Sequence, residues 1–285
     1  MLRLLAAAAI ALTAFTANAA DKIRFAVTDI EGLEQLQTEY GPFRDALSAA
    51  TGYEIEFFAV NSRTAAVEAL NADQVDMVLT GPAEYVVMKE LTDAQIVVAW
   101  QRPDYFAQIV TLAGGEIKTA ADLKGKKVTF GEVGSTSQHL GPAQALADLG
   151  LKYGEDYEAL IIKRNTAIEA LIRGEIAAVG MNFGHLNGAR EAYPDVAFKV
   201  VARGPDLPDD ILVASKSVSA DIVAKMRDTF LKDGKSLMEA VLKGEDTQKY
   251  RGGFFIATVN DSDYDYVRSM YRAIGVESFS SFVGE

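Results

Sequence analysis

Three adjacent hydroxyls, Ser135, Thr136 and Ser137, stand in the middle of a glycine-rich run that extends over residues 131–142. Residues 126–130 read as a short buried strand, and 140–150 as a helix that stops at Gly150. The hydroxyls therefore fall where a strand gives way to a helix. The first backbone N–H groups at such a junction have no intrahelical partner, and the helix dipole adds partial positive charge there. Hydroxyls and amides together can hold a tetrahedral oxyanion without a full shell of cations. The competing reading is that one of the three merely caps the helix.

A catalytic use of the same residues is weaker. Ser135 and His139 can be cast as nucleophile and base, with Asp122 or Asp148 as orienter, but a Ser and a His four apart on one helical turn are a common coincidence. The Gly-x-Ser-x-Gly spacing of a nucleophile elbow is absent. The two histidines, His139 and His185, have no metal-ligand spacing to nearby acids, and the chain has no cysteine. Binding without catalysis, cofactor or metal is the expectation.

The body of the protein is acidic. Its net charge of −12 becomes −13 once Arg3, the single charged residue of 1–19, is removed. This argues against nucleic acid or an anionic membrane surface as partner, though not against a small anion held by short-range hydrogen bonds. Residues 1–19 have the form of a cleavable export signal: one cation, an apolar run over 4–16, and Ala17-Asn18-Ala19 before the cut. Without a cysteine it is not a lipoprotein signal. No later run approaches the roughly 18 uninterrupted apolar residues that span a bilayer. The expected product is a soluble periplasmic protein.

The elements that must position the hydroxyls alternate between strand-like and helix-like segments, the pattern of parallel sheets with crossover helices. Strands are expected at 23–27, 54–60 and 76–82, with helices at 43–50 and 64–70 between them. Ligands in open α/β sheets sit beyond the carboxyl ends of strands, which puts Thr80, Gly81 and Pro82 at a binding edge. A second unit repeats the grammar. It has a strand at 109–113 and a short capped helix at 119–128 leading into the cradle strand. A strand at 159–163, a helix at 165–173 and an apolar run at 176–181 follow. The glycines at 114–115 and the prolines within 203–210 mark two crossings, so lobe 1 is expected over 20–113 and 211–285 and lobe 2 over 114–210, with a hinge between. Tyr264, Val267, Met270 and Tyr271 recur at helical spacing and read as core.

With these pieces in order, the chain resembles the periplasmic phosphate, phosphite and phosphonate binding proteins of ABC importers. The resemblance runs over the mature chain. It rests on the export signal, the strand and turn at 76–82, the helix-to-strand segment before residue 128, the Ser135-Thr136-Ser137 loop followed by Pro142, and the acidic-aromatic segment at 261–268. It implies a two-lobed α/β type II fold, each lobe a mostly parallel sheet flanked by helices. It implies a monomer that closes on a small oxyanion and presents it to a membrane permease. A receptor subunit for a sensor kinase, or a sulfonate binder, are the alternatives.

The family grips phosphorus oxygens with the Ser-Thr-Ser loop, so the resemblance makes Ser135, Thr136 and Ser137 ligand-binding. Gln138 stands where relatives often have a small residue. Tyr105 matches an aromatic set against the ligand, a core tyrosine being the other reading. Arg164 stands where several relatives have a ligand-binding histidine, a solvent-facing arginine being the other reading. Asn182 falls where aminophosphonate binders have an acid, which removes the partner of a ligand ammonium. Leu79 and Ser62 replace tyrosines of some relatives, so Tyr40 or Tyr85 become alternatives. A phosphorus oxyanion or simple phosphonate, and not 2-aminoethylphosphonate, is the ligand these departures favour.

Overall fold

The computed structural model of the protein describes residues 21–30 and 32–282; the export signal expected at 1–19 lies outside the described residues. The chain begins β1 (Lys22–Val27), α1 (Leu33–Thr51), β2 (Glu54–Phe57), α2 (Arg63–Asn71), β3 (Met77–Thr80), α3 (Pro82–Thr92), β4 (Gln95–Trp100). It then crosses into β5 (Phe106–Leu112), β6 (Lys127–Phe130), α4 (Gly141–Ala147), β7 (Glu158–Ile161), α5 (Arg164–Ile172), β8 (Ala178–Asn182), α6 (Phe183–Ala192) and β9 (Phe198–Asp206). It returns through β10 (Asp210–Ala214), α7 (Ala220–Lys232), α8 (Gly234–Val241), β11 (Phe255–Ile256) and α9 (Asp265–Ala273).

Two sheets result, one of six strands in the order β11-β4-β10-β3-β1-β2 and one of five in the order β7-β6-β8-β5-β9. Each buries both faces. On the first sheet, α1, α7 and α8 cover one face around Phe43, Trp100 and Phe230, while α2, α3 and α9 cover the other. On the second, α4 packs one face and α5 and α6 the other. Tyr264, Val267, Met270 and Tyr271 are all buried, as their spacing predicts.

Three expectations change or are refined. The strand at 106–112, assigned to lobe 1, pairs with β8 and β9 in the second sheet. The first crossing is therefore at 101–105, not at the glycines 114–115, and the second narrows to 207–209. Side by side, the crossings are tied by Leu207 N–H to Tyr105 C=O at 2.8 Å and Arg102 N–H to Asp209 Oδ1 at 2.9 Å. Gly114 and Gly115 misled because they sit in an ordinary turn that ends β5.

Second, each sheet is mostly parallel in direction, as expected, but admits an antiparallel strand: β1 is parallel to β2 and β3, and β6 to β7 and β8, while β10 and β5 run antiparallel to their neighbours. A strand entered directly from a crossing starts at the edge where crossover strands end, so it runs the other way. Third, α1 extends ten residues upstream of the expected start, through Gly41 and Pro42. Burial of Leu36, Tyr40, Phe43 and Leu47 on one face outweighs the missing N–H.

Candidate functional site

The carboxyl ends of β1, β3, β6, β7 and β8 converge on one cleft between the sheets, of about 940 Å³. Ser135, Thr136, Ser137, Gln138, Tyr105, Arg164 and Asn182 all line it.

The cradle begins where β6 ends. Gly134 takes φ +76°, a left-handed conformation that costs glycine little, and turns the chain back toward the cleft. The next turn is wide: both His139 N–H and Leu140 N–H reach Ser135 C=O, each at 3.0 Å, and Gly141 N–H reaches Thr136 C=O. A Cβ on Gly141 would lie 2.7 Å from that Thr136 oxygen and 2.8 Å from Ala107 Cβ, so the turn needs a glycine. Ser135 occupies the capping position yet makes no side-chain cap. Its hydroxyl is left to the cleft, and the reading of the triplet as a mere cap does not hold.

Each neighbouring side chain fixes one member of the triplet. Asn182 Nδ2 donates to Ser137 Oγ at 3.0 Å, while Asn182 Oδ1 accepts His185 N–H at 2.9 Å and caps α6. Ser137 Oγ also shares a hydrogen bond with the Tyr105 hydroxyl, so, with Asn182 donating into the pair, one of its two protons is left for a bound anion. Thr136 Oγ1 accepts Ala83 N–H, at the start of α3, at 3.0 Å. This bond crosses from one sheet's helices to the other's. His139 Nδ1 accepts Gly134 N–H at 3.0 Å and Nε2 meets Tyr153 Oη at 2.9 Å. Burial pushes this imidazole down to about 4, so it is neutral and serves as a strut for the loop.

Tyr105, in the first crossing, is buried, and its hydroxyl meets the Ser137 side chain. The Arg102 guanidinium lies 3.7 Å over its ring, and Nη1 pairs with buried Asp210 at 3.1 Å. Burial opposes the Arg102 charge, but Asp210 together with Tyr105, Tyr250 and Asp29 more than restores it. A fixed cation thus stands beside the hydroxyl cradle. Across the cleft floor, Lys249 Nζ lies 2.6 Å from Asp29 and 3.4 Å from Asp210, and its charge holds the Asp29 carboxyl down at about 2.

Arg63 spans the cleft, pairing with buried Glu84 on its own side and with Glu132 Oε1 at 3.0 Å and Val133 C=O at 3.3 Å opposite. Burial pushes the Glu84 carboxyl up to about 7, with Arg63 opposing. On β7's side, Arg164 is half-buried, and burial draws its guanidinium down.

Thr80 does not line the cleft. It is 2% exposed and accepts a hydrogen bond from Thr28 Oγ1 at 3.1 Å; Thr28 is the lining residue. On β3 the side chain at Thr80 faces the neighbouring strand, one position short of the edge. Tyr40 and Tyr85 do not line it either: Tyr40 is core, and Tyr85 gives its hydroxyl to Asp261 at 2.8 Å. Ser62 does line the cleft while capping α2 through Ala65 N–H.

Sequence reasoning missed Arg102, Arg63, Glu84, Asp29, Lys249 and His185. The strand-end rule applied to β1 and β4 would have found Asp29 and Arg102. Acids reach the cleft at other positions than 182. Asp29, Glu84 and Glu132 line it, though each is held by a cation. Asp209 stays outside the lining.

Known proteins are similar to this chain in sequence and fold. Residues 25–264 match the family described as "ABC transporter, phosphonate, periplasmic substrate-binding protein". A phosphate-import protein of Mycolicibacterium smegmatis is 24% identical, covering 95% of each chain. The structure of PhnD1 from Prochlorococcus marinus in complex with methylphosphonate superposes with a TM-score of 0.67 at 16% identity, over 90% of this chain and 98% of that one. The aliphatic sulphonate binding protein of Escherichia coli shares the fold at a TM-score of 0.63 and 17% identity, over 90% of this chain and 89% of that one. Among the described residues no helix is long and apolar enough to cross a membrane. With two mixed sheets, two adjacent crossings and a hydroxyl cradle between them, this chain belongs to the periplasmic phosphonate substrate-binding proteins of ABC transporters and has their two-lobed α/β type II fold.

Proposed function

We propose that this protein captures a phosphorus oxyanion in the cleft and delivers it, in the periplasm, to a membrane permease, without chemical conversion. One observation carries the reading. Ser135 makes no cap bond, and the Ser137–Tyr105 hydroxyl pair, with Asn182 donating into it, has one proton left over, so the cradle presents two protons to the cleft beside Arg102. Charge-assisted hydrogen bonds from such donors, in a water-poor cleft, suit a phosphoryl or phosphonyl group. The relative that imports phosphate and the fold neighbour holding methylphosphonate support the same ligand class. Ligand-driven closure would turn on the crossings at 101–105 and 207–209.

The enzyme alternative loses its base. His139 has both ring nitrogens engaged by Gly134 and Tyr153, and Ser135 is not among its partners. Asp122 is spent on Thr119 and Lys118 N–H groups, and Asp148 on Gln144.

The test is the triple replacement S135A/T136A/S137A, titrated by calorimetry with phosphate, phosphite and methylphosphonate. Each lost charge-assisted bond costs about 1.5–3 kcal/mol, so three remove more than half of the roughly 8 kcal/mol that a micromolar complex represents. Affinity within tenfold of the parent protein, in a folded triple variant, removes the cradle from the site.

A further inference from the structure

We propose that the ligand is a phosphonate whose organic substituent ends in a second anion, a carboxylate, received at the end of β7 by Arg164 and Lys163 together with His185. The inference rests on the phosphorus-oxyanion reading of the cleft and names the class of compound within it.

The argument starts from how charge is distributed. On the first lobe, every cation that lines the cleft is matched: Arg102 by Asp210, Lys249 by Asp29, and Arg63 by Glu84 and Glu132. On the second lobe, Lys163 and Arg164 also line the cleft, and neither has a carboxylate partner among the described residues. The uncompensated positive charge of the site is therefore at one end.

Position separates this end from the cradle. In the second sheet β7 lies next to β6, so Arg164 and Lys163 stand one strand over from Ser135, Thr136 and Ser137. Neighbouring strands are about 4.8 Å apart, so the linker between phosphorus and carboxylate is on the scale of a few carbons. Arg102 already stands with Tyr105 at the cradle, where it meets the phosphonyl charge. That leaves Arg164 for another group, and a planar guanidinium matches a carboxylate bidentately.

His185 adds a second, independent observation. It lines the same cleft, and its Nδ1 is buried with no hydrogen-bond partner in the protein. Burial, then the nearby charges of Arg164 and Arg102, hold the ring neutral, at about 3. A neutral imidazole can place its single proton on Nδ1 and donate to a carboxylate oxygen. It stands near both guanidinium groups, within the same cleft.

Size agrees. Pockets of about 300–1,000 Å³ typically enclose drug-sized ligands, and a cleft of about 940 Å³ leaves most of its space beyond a single phosphonyl group. A cationic substituent fares worse, because each lining acid already holds a cation that an ammonium would have to displace.

Calorimetry with three probes of one length tests this: 3-phosphonopropionate, the apolar propylphosphonate, and 2-aminoethylphosphonate, with methylphosphonate alongside. The carboxylate compound is expected to bind at least about tenfold tighter than propylphosphonate. In Arg164→Gln the ratio of those two affinities is expected to fall toward one. Equal or tighter binding of propylphosphonate or of the aminophosphonate by the parent protein overturns the inference, whether or not the variant folds. So does an Arg164→Gln variant that weakens both compounds by the same factor, since Arg164 then serves the phosphonyl group. Methylphosphonate binding with a ratio of one leaves the oxyanion reading standing and sinks only this one. No heat from any phosphorus compound sinks both.

Discussion

Asn182→Asp exchanges one heavy atom, Nδ2 for an oxygen, and reverses the polarity of the cradle. In the parent protein Asn182 Nδ2 donates to Ser137 Oγ at 3.0 Å, which leaves one proton of the Ser137–Tyr105 pair for the ligand. A carboxylate cannot donate. The Ser137 hydroxyl then turns to the new oxygen, and the ligand loses a charge-assisted bond worth about 1.5–3 kcal/mol. The new charge also repels the anion. With 3.0 Å to Ser137 and about 2.8 Å from there to a ligand oxygen, the separation is at most about 6 Å. At an effective dielectric of about 20 that repulsion is about 3 kcal/mol. Together the effects reach about 4–6 kcal/mol, or roughly a thousand- to ten-thousandfold in Kd. The fold should be spared, because Asp caps a helix as well as Asn does and Oδ1 still accepts His185 N–H. Asn182→Ala is the contrast. It forfeits the cap, at about 1 kcal/mol of stability, but adds no charge and leaves Ser137 its proton. Calorimetry with methylphosphonate, paired with thermal unfolding of each variant, reads both quantities. An Asn182→Asp protein that is folded and binds within tenfold of the parent refutes the reasoning, since it means Ser137 does not donate to the ligand.

Arg63→Ala removes the guanidinium that joins Glu84 on one lobe to Glu132 and Val133 C=O on the other. Small-angle scattering without ligand should show a larger radius of gyration than for the parent, and saturating ligand should reduce it; identical profiles for the two free proteins would discard the bridge as a closing contact. Glu84, pushed up to about 7 by burial against an ordinary value of 4.5, binds its proton more tightly in the folded chain. Its stabilising contribution is therefore full below about pH 4.5 and is lost as pH rises through about 7, at most about 3 kcal/mol. Urea unfolding at pH 5 and pH 8 should show Glu84→Gln with a flatter pH response than the parent, and equal slopes would assign the loss to another group.

The hydroxyl cradle was legible because its signal is local. A strand, a left-handed glycine, three small polar residues and a helix lie within twenty residues, and local chemistry alone turns them toward a sheet edge. Asn182 was legible as a site residue but not in its role. That its amide holds Ser137, 45 positions earlier, depends on β6 and β8 being neighbours. Arg102 was legible only as a residue just past a strand end, and Lys249 not at all. They matter through Asp210 and Asp29, each more than a hundred residues away in sequence, and nothing in the flanking residues announces such pairs. The lobe boundary failed for a related reason. Glycines at 114–115 signal a turn, yet whether a turn lies within a lobe or between lobes is decided by which strand β5 pairs with, a long-range choice. Thr80 was placed at the right edge but one residue short of it. Strand-end reasoning carries an uncertainty of a residue or two, and side chains alternate in direction with each one.

How the cradle's supports are divided between the lobes bears on how binding is coupled to shape. Ser137 is held by Asn182, and the loop's backbone by His139 and Tyr153, all within the second lobe. Those donors are in place without any contact from the first lobe. Thr136 is different, because its oxygen is held by Ala83 N–H across the cleft. Arg102 and Tyr105 sit in the crossing itself. If the lobes part at the crossings, as proposed, the Thr136–Ala83 bond and the Arg63 bridge break while the second lobe keeps its hydroxyls in place for an arriving anion. Closure would then add contacts that do not touch the ligand, and part of the stability of the bound form would come from protein–protein bonds that a permease could read without sensing the ligand itself.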